Sequence, residues 1–298
     1  MIRKVLKAIG IVLALAGLWL AFSVWRNWDT IQRVFLGGVK VYETTAPAMP
    51  ATISRPAILV FSKTNGFRHE EAIPAAKEMF ERLARENGWG IFETDNGAAF
   101  SPEILSRFDA VIFNNVSGDV FTPDQRDAFK AFVLQGGGFV GLHAAGDNSH
   151  QAWDWYVKNI IGTQFVGHPM DPQFQQARVT VEDRTHAAAQ DLPSVWIRMD
   201  EWYSFDNSPR ATPGVTIFAT IDETTYKPGS LTGTNLAMGK DHPIAWWRCA
   251  GKGRVFYSAM GHTAESFAEP AYRRMLAGAT RWALAIDGEG CRNNRGRP

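Results

Sequence analysis

Among the seven histidines of this 298-residue chain, three stand in turns of the same kind. His69 lies in Thr64–Glu70 (TNGFRHE), His143 in His143–Asp147 (HAAGD) and His262 in Gly261–Glu265 (GHTAE). Each turn follows a short apolar run that reads as a strand buried on both faces. Parallel strands end at one edge of a sheet, and ligands bind beyond those carboxyl ends. Imidazole can move a proton near neutral pH, and it suits zinc, manganese or nickel. The set therefore reads as a divalent-metal site of His69, His143 and His262, or as an acid–base pair of His143 and His262. Two further segments, Gly167-His168-Pro169 and Asp200-Glu201-Trp202-Tyr203, read as loops. From them Glu201 is a candidate second base or ligand. His69, Asp147 and His168 are candidate polar contacts to a substrate. Trp153, Trp202 and Tyr203 offer rings that could stack on a substrate. Each residue alone also has a plainer role. His69 could be a first-turn surface residue, His168 could bond within its own turn, Glu201 could pair with Arg198 or Arg210, and the rings could be core. His150, His186 and His242 read as structural or surface residues.

The turns require a scaffold, and the pattern from residue 57 to 147 supplies one. Ala57–Ser62, Trp89–Thr94, Asp109–Asn114 and Phe139–Leu142 read as strands. Between them, His69–Asn87 carries a helical apolar face and ends at Gly88. Ser101-Pro102-Glu103 and Thr122-Pro123-Asp124 are helix starts, with a capping hydroxyl, proline in the first turn and an acid behind it. Gly136–Gly138 ends the helix that runs to about Gln135. Alternation of strand and helix predicts a doubly wound, mostly parallel α/β sheet. The second half is less regular. Ala152–Ile161 reads as a helix and Val166–Pro172 as a loop. Arg178–Glu182, Val215–Ile221, Ile244–Cys249 and Arg254–Ser258 read as strands, and Tyr272–Ile286 as an amphipathic helix.

Ahead of this domain, Ala8–Trp25 is apolar apart from one serine and long enough to span a bilayer. Arg3, Lys4 and Lys7 precede it, so the positive-inside rule predicts a single-pass anchor in a bacterial-type inner membrane, with the domain periplasmic or extracellular. A signal peptide cleaved near Ala21-Phe22-Ser23, giving a secreted protein, is the rival reading. The expected organisation is a stub and anchor over 1–27, a linker over 28–54, the α/β domain over 55–287 and a disordered basic tail over 288–298. Net charge is +1 and the folded part has no run of Lys or Arg, which argues against a nucleic-acid partner. Homo-oligomerisation is left open. The only two cysteines, Cys249 and Cys291, lack any zinc-binding spacing. A buried thiol is the plainer reading of Cys249, and a disulfide between the two is compatible with an oxidising compartment.

The motifs GFRHE, GLHAAGD, THAAAQDLP, DEWYSF, PIAWWR, GKGRVFYSAMGHT and the closing RWALA, in that order from Ala57 to about Ala285, resemble the ThuA-like (trehalose utilisation) family. That resemblance implies a flavodoxin-like sheet of the class I glutamine amidotransferase type. It also implies an enzyme of disaccharide or keto-sugar metabolism, of isomerase or hydrolase type. Better-known members of the fold hydrolyse glutamine with a cysteine on the tight turn that Gly141–Ala145 matches here. His143 stands at that position, and Glu265 is the nearest acid after His262. Thioester chemistry needs a thiolate, so glutamine hydrolysis is not expected. A non-catalytic carbohydrate-binding or interaction module is the alternative. Such a module has no need of converging histidines.

Overall fold

The computed structural model describes residues 2–230 and 233–291. Two helices come first, α1 (Ile2–Arg26) and α2 (Trp28–Phe35). The first half of the domain then alternates as the pattern requires: β1 (Ala57–Phe61), α3 (Ala72–Asn87), β2 (Gly90–Thr94), α4 (Pro102–Leu105), β3 (Ala110–Asn114), α5 (Pro123–Gln135) and β4 (Gly138–Leu142). Local chemistry sets these bounds. Ser101 Oγ caps α4, Thr122 and Gln125 form a capping box on α5, and Gly88 closes α3 in the left-handed region at φ 70°. α3 begins three residues after His69, so that residue lies in the β1–α3 turn and not in a helix.

The second half contains α6 (Asp154–Tyr156), β5 (Phe165–Gly167), β6 (Phe174–Val181), β7 (Val195–Glu201), β8 (Ser204–Phe205), β9 (Val215–Asp222), β10 (Pro243–Ala250), β11 (Gly253–Ser258), α7 (Ala264–Ala268) and α8 (Pro270–Ala283). Three corrections to the sequence reading arise here. The helix expected over Ala152–Ile161 is one turn of α6 followed by a π-turn over Val157–Ile161. The loop expected around Val166–Pro172 begins as β5, which pairs with β8. The supposed loop carrying Glu201 is the end of β7, whose alternating buried and exposed residues mark it as a half-covered strand.

Nine strands form one sheet in the order β2-β1-β3-β4-β11-β10-β9-β6-β7. β2, β1, β3, β4 and β11 are parallel, and the four beyond them are antiparallel to their neighbours. Two reversals return β9 to the direction of β11, and two more return β7 to it. The carboxyl ends of β1, β4, β7 and β11 thus share one edge. β7 is five places from β4 in the order, yet Glu201 meets His143 at 3.3 Å. The twist of the antiparallel half therefore brings its last strand back over that edge. β1, β3 and β4 are fully buried, and aromatic rings such as Phe61, Phe113, Phe129 and Phe139 fill the layer beneath the helices.

The stretch expected to be a linker is docked on the domain. Val39 N–H donates to Asn65 O at 2.7 Å, Gln125 Nε2 to Glu43 O at 2.8 Å and Asn96 Nδ2 to Thr45 O at 3.0 Å. Glu43 also pairs with Lys63, which is buried at the end of β1. At the other end of the chain, Cys249 on β10 is joined to Cys291 in a disulfide, in place of the buried thiol expected for Cys249. Most of the basic tail, residues 292–298, lies outside the described residues.

Candidate active site

His143 is the first residue after β4 and has φ 46°, a left-handed conformation that is uncommon for a residue with a Cβ. Gly146 lets the turn close, because a Cβ there would lie 2.3 Å from the Tyr257 ring. His143 itself is fully buried. Its Nδ1–H donates to Ala259 O at 2.8 Å, and Tyr257 Oη donates to its carbonyl at 2.8 Å. In the neutral ring the bond to Ala259 O fixes the tautomer and leaves Nε2 as the nitrogen with a free lone pair.

His143 Nε2 faces His262 Nδ1 at 3.0 Å, and Glu201 Oε2 lies 3.3 Å from the first and 3.1 Å from the second. A tetrahedral ion with metal–nitrogen bonds of about 2.1 Å separates its ligand atoms by about 3.4 Å, so the triangle is close to one face of such a site. His69 supplies a fourth donor, and the ligand atoms of His69, His143, Glu201 and His262 all lie within 4.8 Å of one another. Its Nδ1 is buried with no hydrogen-bond partner, and its ring meets those of His143 and His262 edge-on at 4.8 and 4.4 Å. A buried His69 nitrogen without a partner, on a ring packed against two other donors, fits a divalent cation.

The electrostatics follow from this crowding. Burial alone would raise the Glu201 carboxyl, but hydrogen bonds from His143 and His262, and charge on both rings, hold it well below the usual carboxylate range. Burial favours the neutral form of His143, and the Glu201 carboxylate beside it reverses this and raises its pKa. Burial drives His69 well below its ordinary value, reinforced by His143 and His262 beside it.

Around this centre the sequence-predicted residues divide. Glu201 Oε1 accepts from Gln173 Nε2, and His168 Nδ1 lies 3.1 Å from the same oxygen while its N–H donates to Pro169 O at 3.0 Å, within its own turn. Tyr203 lies against His143 with ring centroids 4.1 Å apart. Asp147 accepts from the backbone N–H of Ser149 at 2.8 Å and from its hydroxyl, and it lines the same cavity as His168 and Tyr203. Trp202 and Trp153 are not in the site. Trp202 is buried, with Nε1 bonded to Gln175 O, and Trp153 packs among Phe121, Phe129 and Tyr156. Glu201 does not pair with Arg198 or Arg210, which bind Asp200 with Glu269, and Glu182 with Asp241, respectively.

Asp200, next to Glu201 in the DEWY motif, has a role that its position in a supposed loop concealed. Fully buried, it accepts from the backbone N–H groups of Gly261 at 2.8 Å, His262 at 3.1 Å and Glu201 at 2.9 Å. It thereby locks the His262 turn to the end of β7. Gln173 and the rings of Phe67 and Phe174 were also not evident: Gln173 and Phe174 lie in an otherwise featureless stretch, and in the GFRHE turn His69 is the residue whose type points to chemistry. Phe67 packs edge-on to His69 at 4.9 Å and Phe174 to His262 at 5.0 Å.

Among solved structures, the chain is similar to a putative ThuA-like protein from Bacteroides uniformis ATCC 8492, with 27% identity and a TM-score of 0.67 over 80% of this chain and 95% of that one. A putative ThuA-like protein from Parabacteroides merdae ATCC 43184 shares the fold at 17% identity, with a TM-score of 0.57 over 78% and 90% of the two chains. No curated protein sequence matches this chain. The ThuA model, described as trehalose utilisation, matches residues 57–283, which include all four residues of the His–Glu centre, and the chain belongs to that family.

Proposed function

We propose that this protein is a membrane-anchored enzyme whose centre of His69, His143, His262 and Glu201 holds a divalent metal and acts on a sugar or oxidised sugar. The observation that carries the proposal is the convergence of four donor atoms, one from each residue, within 4.8 Å. A divalent ion bound there supplies a Lewis acid for a hydroxyl or carbonyl oxygen of the substrate. The chain's own residues do the rest. Tyr203 and Ala259 O hold the His143 ring in place. Gln173 orients the far oxygen of Glu201, which keeps its other oxygen turned to the two imidazoles. A cavity of about 500 Å³ adjoins the centre, large enough for a hexose, and Asp147, Ser149 and Gln173 give it polar walls. The family description, trehalose utilisation, supports a carbohydrate substrate. Glutamine hydrolysis finds no support, because both cysteines are joined to each other and His143 takes the nucleophile's turn.

Elemental analysis of the purified full chain tests the metal. The expected result is about one equivalent of zinc, manganese or nickel, lost on His143→Ala or Glu201→Gln, with chelation abolishing turnover in a screen of disaccharides and their keto derivatives. A second reading rests on the 3.0 Å contact between His143 Nε2 and His262 Nδ1, which is also a proton-sharing distance. In that reading activity resists chelation, and His143→Ala reduces turnover while leaving binding largely intact.

The anchor reading is supported by α1, an apolar helix with mean hydropathy 2.3, behind Arg3, Lys4 and Lys7. The disulfide supports a domain on the oxidising side of the membrane. N-terminal sequencing of the membrane-extracted protein should return the unprocessed start. A mature chain beginning near Val24 would indicate a cleaved signal instead.

A further inference from the structure

The cavity of about 500 Å³ beside the His–Glu centre has one wall that the matched family domain does not supply. Arg33, Val34 and Gly37 line it, although that domain begins at residue 57. These residues belong to α2 and the turn that ends it, and α2 follows α1 after the single residue Asn27. The helix is fixed to the β1–α3 turn, which also carries His69. Arg33 Nη1 donates to Thr64 O at 2.5 Å, and Val39 N–H donates to Asn65 O at 2.7 Å. Gly38, at φ 92°, permits this close approach, because a Cβ there would lie 2.7 Å from Asn65 O. α1 stands clear of the domain, and none of its apolar span is buried. Trp25 and Trp28 flank the junction of the two helices, both exposed, and indole rings of this kind settle at a bilayer surface. From Trp28 to Val34 an α-helix rises only about 9 Å. Whatever its tilt, α2 therefore holds the cavity wall within about 10 Å of the level at which the anchor leaves the membrane.

The mouth of the cavity suits that position. Val34, Phe67 and Met170 line it and are 44, 48 and 46% exposed, and Phe35 and Leu36, next along the chain, are more exposed still. A free sugar carries hydroxyls around its whole rim and gains little from an apolar mouth. A sugar borne on a lipid is apolar on one side only, where its glyceride or prenyl stem begins. We infer that the cleft takes its sugar as the headgroup of a membrane lipid. The sugar fills the cavity beside the centre, and the apolar stem leaves past Val34, Phe67 and Met170 toward the bilayer. This rests on the readings of α1 as an anchor and of the centre as a sugar-processing site. It goes further by making the substrate an amphiphile and by making α2 part of the site.

Fluorescence quenching and hydrogen exchange on the full chain in phosphatidylcholine nanodiscs test the inference. The two native cysteines are joined to each other, so a single introduced thiol takes the dye. With nitroxide on the lipid headgroups, dye on Met170→Cys should be quenched several-fold more than dye on Lys252→Cys, which lies in the β10–β11 turn at the opposite edge of the sheet. On the unlabelled chain, adding monoglucosyl- or monogalactosyl-diacylglycerol to the disc should slow exchange over residues 143–149 and 165–170 in a saturable way. Methyl glucoside and methyl galactoside in solution, at the same sugar concentration, should leave it unchanged. Val34→Ser should raise the mole fraction of lipid needed for half protection by about threefold, the scale of half-burying one valine side chain, and Val34→Ile should not. Equal quenching at the two positions would overturn the inference. So would the expected quenching with no response to either glycolipid, or with an equal response to the soluble glycosides, and in those cases the anchor still stands. A purified chain that starts near Val24 defeats the anchor reading and the inference with it. Metal content is measured on the same samples. Bound metal without a lipid response defeats the lipid-borne sugar alone, whereas absence of both defeats the reading of the centre as well.

Discussion

At the scale of single residues, the site depends on groups that never touch a substrate. Asp200 holds three backbone N–H groups and faces Arg198 at 3.0 Å, both side chains being buried. If Asp200 loses its charge, Arg198 loses its buried counter-charge and keeps the partly exposed Glu269 at 3.2 Å, Met260 Sδ and the Tyr272 ring at 4.3 Å. Asp200→Asn should therefore cost about 3 kcal/mol of stability, because it strands a buried guanidinium. Urea unfolding should show the midpoint falling with an unchanged slope. The same variant should weaken metal binding by about tenfold, since the His262 turn loses its tether while all four donor residues remain. A loss of stability with unchanged metal affinity would limit Asp200 to a packing role. His143 contributes in another way. Its left-handed backbone aims the imidazole back over the sheet edge, so the ring reaches the donors arriving from β7 and β11.

At the scale of elements, the sequence disclosed what repeats and concealed what curves. The βα alternation from β1 to β4 follows from apolar runs, helix caps and glycines, all of them local signals. His69, His143 and His262 could be placed at one edge because parallel strands leave no other arrangement. β7 was not legible, since Val195, Ile197 and Met199 are apolar on its exposed face and Arg198 and Asp200 are charged on its buried face, the reverse of the usual pattern. Reading Trp202 as a sugar platform failed for a related reason: once β7 is a strand, alternation turns Trp202 inward. The segment before β1 carries the clearest consequence. Glu43 is the charge partner of buried Lys63, and Thr45 and Pro50 accept hydrogen bonds from Asn96 and Arg107. A truncation starting at Ala51 removes those groups, whereas one starting at Gly38 keeps them. The shorter protein should unfold at lower urea by about 3 kcal/mol and aggregate more readily, as light scattering during refolding would show. Equal stability of the two would mean that the docked segment contributes nothing to the fold.

At the scale of the whole molecule, acid should act in part through a histidine outside the cleft. His186 packs among Trp247, Phe256 and Trp282, and its Nδ1 accepts the N–H of Ala188 at 3.1 Å. Burial lowers its pKa to about 4, and nearby Asp183 offsets this only in part. The unfolded chain takes up that proton near the ordinary histidine value of about 6.5, so between these values it binds more protons than the folded one. Stability should thus fall as pH drops through this window, by about 2 kcal/mol at pH 5 for this group alone. Comparing urea midpoints of the native protein and His186→Phe at pH 7 and pH 5 isolates it, because other carboxylates contribute to both. The four donors of the centre have a different reach. They lie at positions 69, 143, 201 and 262, on three turns and the end of β7, which no single supersecondary unit contains. An ion gripped by all four behaves as a crosslink among distant stretches of chain, and no partly folded half can bind it fully. Its binding free energy is then returned to the domain as a whole, about 2.7 kcal/mol at a free concentration one hundred times Kd, so occupancy and cooperative unfolding become one equilibrium.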